Sequence, residues 1–539
     1  MASDSTQSTI PPLEHTALHE IPAKVDQLRA TFRTGLTKDI QFRLVQLRKL
    51  YWGIVDNTPL MEEALMRDLR KCKFESTLSE IDWCKRECMD MINNIEKWAK
   101  DEPVVNVPLE FKVMGHRIRN EPLGVILAIG SYNYPFQLNL TPLIGAIAAG
   151  NCVVLKASEA SPYSAMVLKK LFDECLDPEC YTYVNGAVPE TQLLLEQKFD
   201  KIAFTGGKGI GKIVARKAAE TLTPVLLELG GQNPAFVTKN ANIKMAARRL
   251  LWQKVLNAGQ VCVSHNYILV ERSVLSQFLG ELNGQLRVFM PKGARNSPDF
   301  ARLVNKRHFD RVKKMLDSSM GKIVLGGSMD ESDLFIEPTA VLVDDIQDSM
   351  MVEESFGPIF SVMAFDTLDQ AIDIANNVDP TPLALFTFGT DAESKKVLDS
   401  VTSGGATIND SFFHNQIPQA PMGGIGQSGT GSYHGYYSFK AFSHQRTIAK
   451  PPYWADSFLR VRYMPYSWPH LKRLHLMNGV SPNFDRNGVQ LKGLKYYLGL
   501  IFSLGGKSSK RALIRWAVFA VIAAVLGAKN GSLNQWLAK

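Results

Sequence analysis

Between residues 124 and 220 the sequence alternates short apolar runs with amphipathic segments of ten or so residues, and no other feature narrows the fold as much. The runs at 124–129, 152–155, 181–184 and 201–204 read as strands. The segments at 138–149, 162–171, 190–196 and 209–220 read as helices. Strands buried on both faces are apolar throughout rather than alternating. Parallel neighbours also need a long crossover, which a helix supplies. The expected fold class is therefore α/β, a doubly wound parallel sheet, and a second α/β run from 234 to about 401 marks a second domain.

The flanks read differently. Residues 21–100 carry apolar positions at three- and four-residue spacing, as in Val25, Leu28 and Phe32, which predicts helices. Residues 104–120 break that spacing with prolines and an alternation through Val105, Val107, Leu109, Phe111 and Val113, which predicts an extended hairpin. The first 20 residues lack both a basic and an apolar stretch, so they read as a short disordered arm rather than a secretory signal. Seven scattered cysteines, with Cys84 and Cys88 lacking a second pair at ligand spacing, argue against a disulfide framework or a zinc site and for a reducing compartment.

Several residues have the chemistry of a reactive site. Cys262 ends Asn257-Ala258-Gly259-Gln260-Val261-Cys262, a turn of small residues after an amphipathic helix. A reactive cysteine needs access, donors and a nearby base; a buried structural cysteine is the plainer reading. Glu228 stands among Leu227, Leu229 and Gly230 at the end of an apolar run, where desolvation disfavours its charge and suits it to exchange protons near neutral pH. A salt-bridged carboxylate is the alternative. Asn133, in Ser131-Tyr132-Asn133-Tyr134-Pro135, could donate to an oxygen acquiring charge, or simply occupy a turn. The glycine-rich stretch from Thr205 through Gly206, Gly207, Gly209 and Gly211 could admit a pyrophosphate at a helix N-terminus, although it departs from G-x-G-x-x-G. Lys156 and Glu159 end another run, where they could bind ribose hydroxyls, or form a solvated helix start. Glu159 would repel a 2′-phosphate.

Taken in order, these blocks resemble the aldehyde dehydrogenase superfamily from about residue 21 to 447. The blocks are Asn133 before Tyr-Pro, Lys156-x-Ser158-Glu159, Phe204-Thr205-Gly206, Glu228-Leu229-Gly230-Gly231, Gly259-Gln260-x-Cys262 and Glu353-Glu354-Ser355-Phe356-Gly357-Pro358. The stretch from Gly423 to Gly435 and Phe442-Ser443-His444 are similar to the class 3 and fatty aldehyde branch. The resemblance implies a Rossmann-like cofactor domain at 21–230, carrying an oligomerisation hairpin at 104–120. It also implies a catalytic domain at 231–430 and an oligomerisation strand at 431–452, usually giving homodimers. By the same resemblance Cys262 is the nucleophile, Glu228 the general base and Asn133 an oxyanion donor. Lys156 and Glu159 hold the adenosine ribose, Gly206 and Gly211 shape the pyrophosphate turn, and Glu354 and Phe356 place the nicotinamide riboside. NAD is the expected cofactor. Gly207, where Ser or Asn is common, and Gln232-Asn233, where Lys-Ser is usual, put only the cofactor preference in doubt. An inactive scaffold, or an acyl transfer to CoA or phosphate on the same fold, is the competing reading.

From Arg446 onward the chain has 15 Lys/Arg against two acids, a net +13, and the rest of the chain is net acidic. Nucleic acid or an anionic membrane would suit such a tail (453–511), and the apolar run 516–528 decides for the membrane. With Arg515 snorkelling, residues 512–529 are just long enough for an anchor, and Lys507, Lys510 and Arg511 favour a catalytic domain on the cytoplasmic side. An anchored enzyme meets aldehydes that partition into lipid, so the expected substrates are long-chain apolar aldehydes, fatty or apocarotenoid.

Overall fold

The structure, a computed structural model, describes residues 10–478, 482, 484–493, 497 and 513–522. The chain divides into one unit of residues 1–105 and 116–448 and another of residues 106–115 and 449–539.

Two sheets build the first unit. One runs in the order Gly429–Thr430, Val225–Leu229, Lys201–Gly206, Val125–Ile129, Cys152–Lys156, Tyr181–Val184. All its strands are parallel except Gly429–Thr430, which comes from far along the chain and pairs antiparallel with Val225–Leu229. The second sheet has the order Lys322–Leu325, Thr339–Leu342, Ile359–Phe365, His265–Glu271, Asn233–Val237, Ala384–Phe388, Gly405–Ile408, and only Lys322–Leu325 is antiparallel. The central strands are wholly buried, as their mainly apolar composition requires. Each fully buried Ile, Leu or Val there is worth about 1.5–3 kcal/mol. Helix Gln137–Ala149 is apolar on every side and buried from Leu138 onward, so it lies inside the unit rather than on its surface.

The α/β expectation holds, and the strand bounds fall within a residue or two. Other expectations need correction. The arm over residues 1–20 is not free along its described part: Ile10 is buried, the Thr16 N–H donates to the Asn185 carbonyl (3.0 Å), and His15 meets Glu190 (3.0 Å). Residues 1–9 lie outside the described residues. The expected hairpin over 104–120 has other bounds: Glu102–Pro103 pairs antiparallel with Arg117–Pro122, and the stretch between them holds a 3₁₀ segment, Leu109–Met114, in place of an alternating strand. Alternation implies a strand only where a sheet face covers alternate residues. Here Val105, Phe111 and Val113 stay exposed, and Pro108 has no N–H for a ladder. The stretch 431–452 is not all strand either: helix Tyr436–Ala441 precedes strand Ser443–Ile448, which pairs antiparallel with Arg117–Pro122.

In the second unit, the Lys450 N–H donates to the Met114 carbonyl (2.8 Å), and short helical turns at Tyr453–Ala455, Asp456–Leu459 and Arg460–Arg462 lead to helix Trp468–Asn478. Residues 513–522 are helical. Among the described residues no helix is long and apolar enough to cross a membrane, and the rest of the expected anchor, 512 and 523–529, lies outside them.

Candidate active site

Parallel strands bring the loops at their carboxyl ends to one edge of the sheet, where crevices form. The strand Val125–Ile129 leads into Asn133, Lys201–Gly206 into the glycine turn, and Val225–Leu229 ends in Glu228 and Gly230. With Cys262, His308, Arg311, Glu354 and Phe356 they line a cavity of about 450 Å³. A second cavity, about 160 Å³, is lined chiefly by apolar side chains, among them Leu78, Trp83, Tyr134, Trp252, Phe412 and Met422. Cys262 and Leu138 line both. The sulfur thus stands where a polar chamber meets an apolar one.

The loop that carries Cys262 is held in a shape its residues do not prefer. Asn257, Ala258 and Gly259 are all left-handed (φ 48°, 49° and 72°), which costs a non-glycine residue about 1–2 kcal/mol. At Gly259 a side chain is impossible, because its Cβ would stand 2.1 Å from the Gly357 carbonyl oxygen. Hydrogen bonds compensate. The Asn257 N–H donates to Glu75, the Gln260 amide donates to Asn257 and Arg302 carbonyls (3.1 and 2.9 Å), and Asn233 Nδ2 donates to the Cys262 carbonyl (2.8 Å). Burial, then the charges of Glu228 and Glu354, push the Cys262 thiol up, while the Val263 and Cys262 backbone N–H groups work the other way. The resting sulfur is therefore a thiol that needs a base.

Glu228 is 1% exposed, and beyond the neighbouring Cys262 thiol its oxygens have no hydrogen-bond partner among the described residues. Burial, then the Glu354 charge, raises it to about 8, with the nearby Cys262 thiol opposing the shift. Its sheet edge is closed by Gly429, whose backbone approaches so closely that a Cβ would lie 2.1 Å from the Leu227 carbonyl oxygen. Glu228 also lines a small third cavity of about 30 Å³ with His414 and Asn415, large enough for a water. A buried, unpaired carboxyl of raised pKa beside a thiol can take and return protons near neutral pH.

Asn133 is 1% exposed and donates Nδ2 to the Gln260 carbonyl (3.0 Å), which occupies one of its two amide hydrogens. The other can reach an oxygen at the junction.

On the polar side, helix Lys208–Glu220 begins at Gly207 with no side-chain cap, and a Cβ on Gly207 or Gly209 would meet nothing within 4 Å. Open space before uncapped N–H groups suits a phosphate. Gly206 lines this cavity. Gly211 does not: its Cβ would lie 2.6 Å from Leu229, so this glycine seats the helix on its strand rather than contacting a cofactor. Lys156 and Glu159 lie outside the cavity lining and pair with each other at 3.1 Å. Burial raises Glu354 to about 7 against the pull of Lys208, Arg311 and Lys254. Phe356, itself left-handed (φ 42°), meets Tyr132 edge-on with centroids 6.1 Å apart.

Several residues escaped the sequence reading. Lys254 is 1% exposed and pulled down to about 7 by burial. It falls on the buried stripe Ala247, Leu250, Leu251, a spacing that could have flagged it. Asp379 accepts from Lys208 Nζ (3.0 Å) and the Gln232 N–H (3.1 Å), tying the glycine turn to the second sheet. Arg311 donates to the Glu354 carbonyl (3.0 Å) and the Ser355 carbonyl. Lys71, Glu75 and Glu80 are buried behind Asn133, though they sit among exposed charges in the sequence.

Residues 3–448 match the aldehyde dehydrogenase family. Over its full length the chain is 70% identical to the full length of a Gibberella fujikuroi protein named beta-apo-4'-carotenal oxygenase. A Neurospora crassa protein of the same name is 54% identical over 94% of this chain and 96% of its own. Among solved structures, a substrate-bound Staphylococcus aureus AldH superposes with a TM-score of 0.78 at 38% identity, over 82% of this chain and 99% of that one.

Proposed function

The chain belongs to the aldehyde dehydrogenase family and oxidises an aldehyde to its acid; from that premise we propose a long, apolar aldehyde, apocarotenal before fatty aldehyde, oxidised through a Cys262 thioester with NAD as hydride acceptor. One observation carries the reading: Cys262 faces a polar chamber on one side and an apolar chamber on the other. The names of the 70% and 54% identical relatives favour the apocarotenal.

The residues present fit a dinucleotide. The uncapped N-terminus at Gly207 would hold its pyrophosphate, Lys156 and Glu159 a ribose, and Glu354 and Phe356 the nicotinamide end. Bound there, the dinucleotide supplies the acceptor for the hydride that converts a thiohemiacetal to a thioester. The protein does the rest. Glu228 takes the thiol proton, directly or through a water, and Sγ forms a bond to the aldehyde carbon. The carbonyl oxygen becomes an oxyanion, stabilised by the free Asn133 amide hydrogen and the Cys262 N–H. Glu228 then passes that proton to solvent and, after oxidation, removes a proton from water, whose oxygen attacks the thioester carbon. The C–S bond then breaks, the acid leaves, and the thiol is restored. Glu159, an acid where a 2′-phosphate would stand, favours NAD over NADP.

We place the enzyme at a membrane, on the cytoplasmic side, through residues 512–529. The basic flank Lys507, Lys510, Arg511 and Arg515 supports this, as do exposed aromatics at Tyr453, Trp454, Phe458 and Trp468. Strand Ser443–Ile448 forms an edge of its three-stranded sheet, which supports a homodimer built by pairing that edge. Turnover of an apocarotenal, a C16 aldehyde and a short aldehyde, without CoA or phosphate, tests the central claim. The long substrates should give acid with the higher kcat/KM, and preference for the short one would overturn the assignment.

A further inference from the structure

We infer that the buried Lys71–Glu80 ion pair is a positioning device for Asn133, a role that rests on the reading of Asn133 as oxyanion donor. Both side chains are wholly buried and meet at 2.5 Å. Lys71 Nζ also donates to the Asn133 carbonyl (3.2 Å) and stands 4.1 Å from the centre of the Tyr134 ring. The second Glu80 oxygen accepts the Phe136 N–H (2.9 Å) at the start of helix Gln137–Ala149. The pair thus grips the segment around Asn133 from both ends. The Asn133 carbonyl has another donor, Asn257 Nδ2 at 2.8 Å, while the Asn133 amide reaches back to the Gln260 carbonyl. Asn133 is thereby locked between Lys71 and the loop carrying Cys262.

Stability alone does not account for such a pair, because well-packed apolar residues of similar volume serve a core as well or better. An ammonium offers what they lack: three donors radiating from one point, here used on Glu80, Asn133 and a ring face. Backbone shape agrees. Glu80 belongs to a single π-helical turn, Thr77–Ile81, of a kind common at functional sites. That turn sends Glu80 inward while its Leu78 and Ser79 line the apolar cavity.

The test is a cycle on the full-length enzyme with a saturating aldehyde and NAD. Asn133→Ala and Lys71→Met are each expected to lower kcat by about a hundredfold, since loss of one donor or a displacement of about 1 Å has that effect. The KM for NAD should be unchanged. In the Asn133→Ala background, Lys71→Met should cost no further turnover, because the device then has nothing to position. Lys71→Met/Glu80→Gln removes the unpaired buried charge. It should regain the Tm lost in Lys71→Met while kcat stays low, and it supplies the same reading if the single variant does not fold. Equal losses from Lys71→Met in both backgrounds, or native kcat in the double variant, would overturn the inference. Near-native turnover in Asn133→Ala would instead sink the reading of Asn133 beneath it.

Discussion

The two chambers that meet at Cys262 are made from different material. The polar one is lined largely by short contiguous stretches: the glycine turn from Thr205 to Lys208, the Glu228–Gly230 strand end and the segment around Glu354. The apolar one is walled by large side chains from elements far apart in sequence, including Trp83, Trp252 and Phe412. Turns and strand ends tie a chamber to one ligand geometry, since every turn must keep its shape. Side-chain walls can be changed one residue at a time while the sheets stay as they are. The proposed dinucleotide side is therefore the fixed half of the site and the proposed substrate side the adjustable half.

Three experiments can break or sharpen that contrast. The largest effect falls on the shared sulfur. Cys262→Ala should abolish oxidation, a loss of at least about 10³-fold, while both chambers keep their ligands. Retained oxidation, measured as NADH absorbance, would remove the sulfur from the chemistry and the contrast with it. Next comes Glu228→Gln, on the fixed side, with a fall of about 10²–10³-fold. The working form of Glu228 is the carboxylate, and burial raises its pKa to about 8. Turnover should therefore climb as pH rises through that value, and the residual turnover of Glu228→Gln should lack the step. A native profile that falls as pH rises to about 8 would contradict the role. The smallest effect belongs to the adjustable side. Trp252, stacked edge-on against Phe412 at 5.6 Å, should when replaced by Ala lower kcat/KM for a long aldehyde by about tenfold and leave a short one unchanged. An equal loss on both would show that this wall is as rigid as the other.

The contrast also explains which parts of the molecule were legible in the sequence. The parallel strands were, because strands buried on both faces have few compositions open to them, and Cys152–Lys156 begins where expected. Asn133, Glu228, Cys262 and Gly206 were legible because sites built on turns and strand ends leave contiguous motifs, and the structure brings all four to one cavity. Gly211 permits helix-to-strand contact, and such a glycine looks the same in sequence as one that faces a phosphate. The stretch 104–120 is strand only at its end, because alternation says nothing about whether a covering face exists. Lys71, Glu80 and Lys254 were missed for the opposite reason. Charged residues within helical segments ordinarily face water, and only the tertiary packing shows that these do not.

The left-handed run at 257–259 bears on how the six-residue signature ending in Cys262 should be understood. In the proposed chemistry only its final letter carries a reactive atom. Gly259 is fixed because the Gly357 carbonyl leaves no room, Asn257 because its amide serves two carbonyls from a disfavoured conformation, and Gln260 because it links two loops and receives the Val304 N–H. Invariance in such a signature would measure the difficulty of aiming one side chain more than the number of groups that react. A catalogue of catalytic residues drawn from it would overcount the chemistry several times over.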